Sequence, residues 1–359
     1  MRLALAGGGT GGHLFPGLAV AELAAAHPEV EEIVFFGAER GIESRVVPAR
    51  GFELVAQPLT GIRGGGASGA AGAVWRLARA VGQARREIVR RRIDVVIGLG
   101  GYASSAAVVG ARLARVPVVL LEQNREPGMS NRWLARLAMA VCTSFEETRQ
   151  YLPAGRARHT GNPVRPEIET VGAGGARDTL LVFGGSAGAL SLNRAVTRAL
   201  ATLASRRTLP PILHQAGARG LEEVRRAYAA AGIEADVREF IDDMAGAYAR
   251  ARLAVCRSGA TTVAELAATA TPSVLVPYPH AAADHQTANA RALEEAGAAE
   301  LIADDQGTAD RLAAALDRLL DDSERLDSMA ERAASLRRPG AAARVLEIAL
   351  QAAGRFRTA

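Results

Sequence analysis

Leu3-Ala4-Leu5-Ala6-Gly7-Gly8-Gly9-Thr10-Gly11-Gly12-His13-Leu14-Phe15-Pro16 opens the chain, and Leu180-Leu181-Val182-Phe183-Gly184-Gly185-Ser186-Ala187-Gly188 restarts the same pattern. In both, a short apolar run meets a glycine-rich turn and then a helix-forming stretch, which reads as strand, tight turn, helix. Strand-like runs follow at 33–37, 95–99, 116–121 and 140–143 in the first half, and at 212–215, 237–240, 253–256 and 273–276 in the second. Ala/Leu/Arg-rich helical stretches separate them. This alternation implies parallel sheets with helices on both faces. The expected fold class is therefore α/β, with two doubly wound Rossmann-like domains facing a cleft. Gly161-Asn162-Pro163-Val164-Arg165-Pro166 forbids a continuing helix, so 1–163 is read as the first domain and 164–338 as the second. After the break at Arg338-Pro339-Gly340, 339–359 is read as a helix that returns to the first domain.

Composition narrows the class. The chain has 359 residues, 49% of them apolar and 23% charged. Mean hydropathy is +0.07, which excludes both a disordered chain and a polytopic membrane protein. Arg112 and Arg115 break the best apolar run, and the apolar positions before Gly7 are too few for a signal sequence. Cys142 and Cys256 each end an apolar run and read as buried thiols in a reducing, cytoplasmic compartment. All 43 basic residues are arginine; residues 1–163 hold 20 of them against 13 acids, and the remainder 23 against 25. A basic first half points to an anionic partner.

The first turn matches the dinucleotide fingerprint at Gly7, Gly9 and Gly12. That fingerprint also wants an acid about 20 residues on, at the end of the second strand. Glu31 and Glu32 precede that strand, so an NAD-dependent oxidoreductase is only an alternative. His13 stands where a Walker loop needs Lys. What remains is close backbone approach and a helix N-terminus, which suit an anion or a polar ligand. His13 opens that helix, with Pro16 read as lying in its first turn. It reads either as a solvated or capping side chain, or as the general base, since an imidazole of ordinary pKa about 6.5 suits proton removal near neutrality. Glu122, beside Gln123-Asn124, is the alternative base.

Glu265 lies three residues after Thr262, so it either caps its own helix or accepts hydrogen bonds from a vicinal diol. His280, Asp284 and His285 have poor metal-ligand spacing, and no strand-end Asp-x-Asp is present; no metal and no required cofactor are expected. Around Glu87, the sole opposing charge there, Arg76, Arg79, Arg85, Arg86, Arg90, Arg91 and Arg92 crowd one helical segment. Trp75, Val81 and Ile88 are read as one face of it. This is a solvated helix, or a basic amphipathic helix whose Trp75, Val81, Arg85, Arg86, Arg90 and Arg91 meet an anionic membrane surface. Nucleic acid is not expected, because aromatic interleaving is lacking.

Gly8-Gly9-Thr10-Gly11-Gly12-His13-Leu14-Phe15-Pro16-Gly17, Gly100-Gly101-Tyr102, Glu122-Gln123-Asn124, Gly161-Asn162-Pro163-Val164-Arg165, Gly184-Gly185-Ser186, Phe240-Ile241-Asp242-Asp243-Met244, Arg257-Ser258-Gly259-Ala260 and Asp284-His285-Gln286 occur as an ordered set. By that set, from residue 3 to about 297, the chain closely resembles the MurG family of glycosyltransferases. The resemblance implies the glycosyltransferase-B fold and a peripheral enzyme on the cytoplasmic face of the membrane. It implies inverting transfer of N-acetylglucosamine from UDP-N-acetylglucosamine to the muramoyl 4-hydroxyl of lipid I, the undecaprenyl-linked muramoyl-pentapeptide acceptor, giving lipid II for peptidoglycan; the alternative is another lipid-directed UDP-sugar glycosyltransferase of the same fold. The first domain would hold the acceptor and the second the donor. Carried over by position, the implied donor contacts are Thr10, Gly11, Gly12, Asn124, Arg165, Ser186, Ile241, Ala260, Thr261, Thr262, Val263, Ala264, Glu265 and Gln286. Ile241 would present backbone groups to uracil, Glu265 would take the ribose diol, and Ser186 with Arg165 would meet the diphosphate. Gln286 and Asn124 would read the sugar. The chain departs from the family at Ala187, where Gln is usual, and at Leu121, where many members have His.

Overall fold

A computed structural model describes residues 1–39, 41–57, 67–171, 177–185 and 188–357. The chain divides into two units, Met1–Val164 with Gly340–Ala359, and Arg165–Pro339. Strands β1 (Arg2–Gly7), β2 (Glu32–Ala38), β3 (Glu53–Gln57), β4 (Val95–Gly100), β5 (Val118–Glu122), β6 (Ala140–Thr143) and β7 (Ala157–His159) form the first sheet. Their order is β3-β2-β1-β4-β5-β6-β7, parallel throughout. Strands β8 (Thr179–Phe183), β9 (Ile212–Gln215), β10 (Asp236–Arg238), β11 (Ala251–Cys256), β12 (Ser273–Leu275) and β13 (Ala299–Leu301) form the second, ordered β10-β9-β8-β11-β12-β13 and also parallel. Each sheet reverses strand order beside its first strand, and doubly wound sheets bind ligands at such switch points.

The helices of the first unit are α1 (Gly11–Ala25), α2 (Glu43–Ala49), α3 (Ala67–Arg90), α4 (Gly101–Leu113) and α5 (Met129–Leu134). Those of the second are α6 (Pro166–Glu169), α7 (Leu190–Ala204), α8 (Leu221–Ala230), α9 (Met244–Arg250), α10 (Ala260–Ala268), α11 (His285–Glu295), α12 (Thr308–Asp321) and α13 (Ser323–Ser335). The last helix, α14 (Ala341–Arg357), belongs to the first unit.

Period-two alternation along β1 sorts the first core into two layers. Leu3 and Leu5 pack with Leu14 and Leu18 of α1 and with Val345, Leu346 and Ala349 of α14. Ala4 and Ala6 pack instead with Ala84 and Ile88 of α3 and Val108 of α4. In the second unit, Leu180, Val182, Leu253 and Val255 meet Leu192 and Val196 of α7 and Leu312 and Leu316 of α12.

Four sequence expectations need correction. The short edge strands β3, β7 and β13 were not read from the sequence, because three to five partly exposed residues carry little periodic signal. β5 starts at Val118, since Pro117 has no N–H to give a sheet; its carbonyl instead accepts the Val96 N–H. β10 ends at Arg238 rather than 240. Pro16 sits in the second turn of α1, where it removes the N–H that would bond the Gly12 carbonyl.

Candidate functional site

In the first unit the glycine-rich turn after β1 lies at the switch point, next to the end of β4. Gly7, Gly8 and Gly9 have φ of 149°, 151° and 83°, conformations that favour glycine. His13 is half-buried, and its Nδ1 is 2.9 Å from Thr10 Oγ1. In the tautomer whose Nδ1–H donates to Thr10 Oγ1, Nε2 is the basic nitrogen. A Cβ on Gly100, itself at φ 93°, would stand 2.9 Å from His13 Cδ2 and 3.4 Å from Asn131 Nδ2. Gly100 is thus the point where the imidazole and the Asn131 amide converge.

Glu122 ends β5 and is 2% exposed. Its Oε1 accepts the Asn124 backbone N–H at 2.9 Å and Asn124 Nδ2 at 3.3 Å, and its Oε2 accepts Asn131 Nδ2 at 2.9 Å. Burial raises its pKa, against the lowering effect of these bonds and of the Gly128 N–H. The arrangement ties the 122–131 loop together. Asn131 also donates to the Leu121 carbonyl at 3.1 Å, and no local sequence signal marked it.

In the second unit Glu265 lies in the second turn of α10, whose N-cap is Gly259. The capping reading of Glu265 therefore does not hold. The carboxylate is 6% exposed; its Oε1 accepts Arg165 Nη2 at 3.1 Å, and its Oε2 accepts the Tyr248 hydroxyl at 3.1 Å. Burial raises the Glu265 pKa, and the Arg165 charge opposes this. The guanidinium of Arg165, for which the resemblance implies a diphosphate contact, lies against Glu265. Tyr248 was missed, because its link to Glu265 spans 17 residues.

Gln215, another missed residue, accepts the Ile241 N–H at 3.2 Å and donates to the Gly185 carbonyl at 2.9 Å. Ile241 is buried with its N–H so engaged, which leaves its carbonyl as the group it can offer a base. Gln286 Oε1 accepts the Tyr278 N–H at 2.9 Å, and Ser258 Oγ donates to the Gln286 carbonyl at 2.8 Å. Arg257 and Asp304 form a buried pair at 2.7 Å, and Arg257 also donates to the Val276 and Pro277 carbonyls. Ala260, Thr261, Thr262, Val263 and Ala264 form the first turns of α10. Ser186 lies outside the described residues, as does Ala187. Among the described residues, no group of three or more His, Cys, Asp and Glu could hold a metal ion.

The basic helix α3 differs from its sequence reading in two ways. Ala80, Ala84 and Ile88 are buried and Val81 packs with the same side, while Trp75 is 63% exposed. Trp75 therefore does not share a face with Val81 and Ile88; Val81 is half-buried against the body of the unit. Arg91 is not free to meet a membrane: it pairs with Glu32 at 3.0 Å, with Glu87 at 3.2 Å and with Glu53. Glu87 is not the only opposing charge, because β2 and β3 bring two more acids that are distant in sequence. Arg85, Arg86 and Arg90 remain exposed, with Arg90 bonded to Glu87. Among the described residues, no helix is long and apolar enough to cross a membrane.

Residues 3–143 match the glycosyltransferase family 28 N-terminal domain, and residues 179–345 match the family's C-terminal domain. A Myxococcus xanthus protein named UDP-N-acetylglucosamine--N-acetylmuramyl-(pentapeptide) pyrophosphoryl-undecaprenol N-acetylglucosamine transferase is 43% identical over 352 residues, covering 97% of this chain and 92% of its own. An Alkalilimnicola ehrlichii protein of the same name is 46% identical over 360 residues, covering 98% and 99%. The crystal structure of Acinetobacter baumannii MurG superposes with a TM-score of 0.79 at 31% identity, covering 98% of this chain and 99% of that one.

Proposed function

We infer the reaction from one premise, that the chain belongs to glycosyltransferase family 28. It is a hexosyltransferase that moves N-acetylglucosamine from UDP-N-acetylglucosamine to the undecaprenyl-linked muramoyl-pentapeptide acceptor, forming lipid II for peptidoglycan. The observation that carries this is the 43% identity, over 97% of the chain, to a relative named for that transfer. In the inverting step the acceptor 4-hydroxyl attacks the anomeric carbon, its proton passes to a base, and UDP leaves with the bonding electron pair.

The site geometry supports roles for particular residues. His13, steadied by Thr10, is the proposed base through Nε2. Glu122, with both oxygens occupied by its own loop, is assigned to organising Asn124 and Asn131. Glu265 accepts one hydrogen bond on each oxygen and keeps further acceptor capacity for the ribose diol. Arg165, beside it, is assigned to the developing diphosphate charge. In this reading no cofactor is required.

We place the enzyme peripherally on the cytoplasmic face of the membrane. The lipid-linked acceptor and the exposed Trp75, Arg85, Arg86 and Arg90 support that placement. The test is UDP release with UDP-N-acetylglucosamine and other UDP-sugars, with and without a lipid I analogue. Release that needs both UDP-N-acetylglucosamine and the acceptor is expected. Release indifferent to either would overturn the reading.

A further inference from the structure

Glu43 is a buried carboxylate that the reaction above does not use. It is the first residue of α2, it is 0% exposed, and it sits beneath the glycine-rich turn of the first unit. Its Oε2 accepts the Gly9 N–H at 2.8 Å, and its Oε1 accepts the Ala38 N–H at 2.9 Å. One carboxylate thereby ties the end of β1 to the end of β2. Glycines shape its pocket: a Cβ added at Gly8 or Gly41 would overlap the carboxyl group, and one at Gly37 would stand 2.6 Å from its Cγ.

We propose that Glu43 is a positioning residue for the transfer, its carboxylate filling the anion cradle of the first glycine-rich turn and thereby setting Thr10 and His13. Three consecutive glycines at positive φ have many alternative conformations, so the turn needs an external clamp to hold a single one. A carboxylate accepting backbone N–H groups makes charge-assisted hydrogen bonds, among the stronger kind. Gly9 is followed directly by Thr10, whose hydroxyl holds His13 Nδ1. The contact path Glu43–Gly9–Thr10–His13 is thus short and continuous. Glu43 also takes the Gly9 N–H that a dinucleotide fingerprint would offer a pyrophosphate, which gives the NAD alternative a physical obstacle. The proposal rests on the glycosyl-transfer reading and on His13 acting in it.

The test measures acceptor-dependent UDP release and equilibrium donor binding in the full chain and in four variants: Glu43→Gln, Glu43→Ala, Gly41→Ala, and Gly41→Ala combined with Glu43→Ala. Gly41 has no positive φ, so its new Cβ acts on the carboxylate and not through backbone strain. Misplacement of a reacting group by about 1 Å can cost about 100-fold. A kcat loss of about 10- to 100-fold is therefore expected in each variant, with the UDP-N-acetylglucosamine Kd within about twofold of wild type; Glu43→Ala, which leaves two buried N–H groups unbonded, also melts lower. Gly41→Ala with Glu43→Ala should be no worse than Glu43→Ala alone, because both act through one carboxylate. Wild-type kcat in Glu43→Gln and Gly41→Ala would overturn the proposal, as would parallel loss of kcat, donor affinity and melting temperature, or losses that multiply in the double variant. Failure of the wild-type chain itself to release UDP would instead overturn the reading on which the proposal rests.

Discussion

His13 reaches Gly100 directly and Glu122 is linked to it only through Asn131, so their surroundings give them different work. His13 keeps Nε2 toward Gly100, whereas Glu122 spends its oxygens on Asn124, Asn131 and the Gly128 N–H. His13→Ala should therefore lower turnover by about 10²–10⁴ while the donor still binds, the usual contribution of a general base. Glu122→Gln should lower turnover less and shift the melting temperature more. Near-normal turnover in His13→Ala with collapse in Glu122→Gln, read from UDP release, would reverse the two roles. A third residue carries pH dependence. His214 is fully buried, with Nδ1 2.9 Å from the Tyr228 hydroxyl and Nε2 3.2 Å from Asn193 Oδ1; burial lowers its pKa from 6.5 to about 3. The unfolded chain takes up that proton near pH 6.5 and the folded one resists it. This contribution to stability is complete above about pH 6.5 and declines as pH falls towards 3, by up to about 1.4 kcal/mol per unit. Acid melting curves of His214→Gln should lack that part of the slope.

Helix α3 shows how an element divides one kind of residue between two jobs. Its buried stripe of Ala80, Ala84 and Ile88 fixes the rotation of the helix, and rotation decides which arginines reach solvent. Arg91 lands over β2 and β3, where three glutamates hold it; Arg86 and Arg90 land outside. Arg86→Gln with Arg90→Gln should weaken co-sedimentation with anionic vesicles, by about 1 kcal/mol per charge at low salt, and leave melting unchanged. Arg91→Gln should do the reverse, losing about 1–2 kcal/mol of stability with vesicle binding intact, since partly exposed pairs each contribute little and here three share one cation. Equal effects of both substitutions on vesicle binding would contradict the division. Helix α14 makes the same point about distance: Val345, Leu346 and Ala349 complete a core begun by Leu3 and Leu5.

At the scale of the whole chain, the described core clusters around β1 and around β8 each build one unit. The cluster around β8 and β11 draws only on residues of the second unit, and those around β1 only on residues of the first. On the proposed UDP contacts Glu265 and Arg165, UDP at about 100 times its Kd should raise the second unit's unfolding free energy by about 2.7 kcal/mol and leave the first unit's transition in place, which calorimetry of the full chain can resolve. A uniform shift of both transitions would place the ligand elsewhere. By itself the sequence determined the α/β class, the two strand–turn–helix starts at residues 3–16 and 180–188, and the candidates His13, Glu122 and Glu265, because glycine turns, apolar periodicity and ordered motifs are local signals. Only the tertiary structure decided what those residues touch. It put Arg165 and Tyr248 on Glu265, Asn131 on Glu122, and Glu43 under Gly9, joining residues 9 to 100 positions apart. It also took Val81 and Arg91 from the surface and showed β3, β7 and β13 as strands. The physical reason is that hydrogen bonds and ion pairs between parallel strands and their loops depend on sheet order. That order is set by packing the whole unit and leaves no trace in the spacing of residues along the chain.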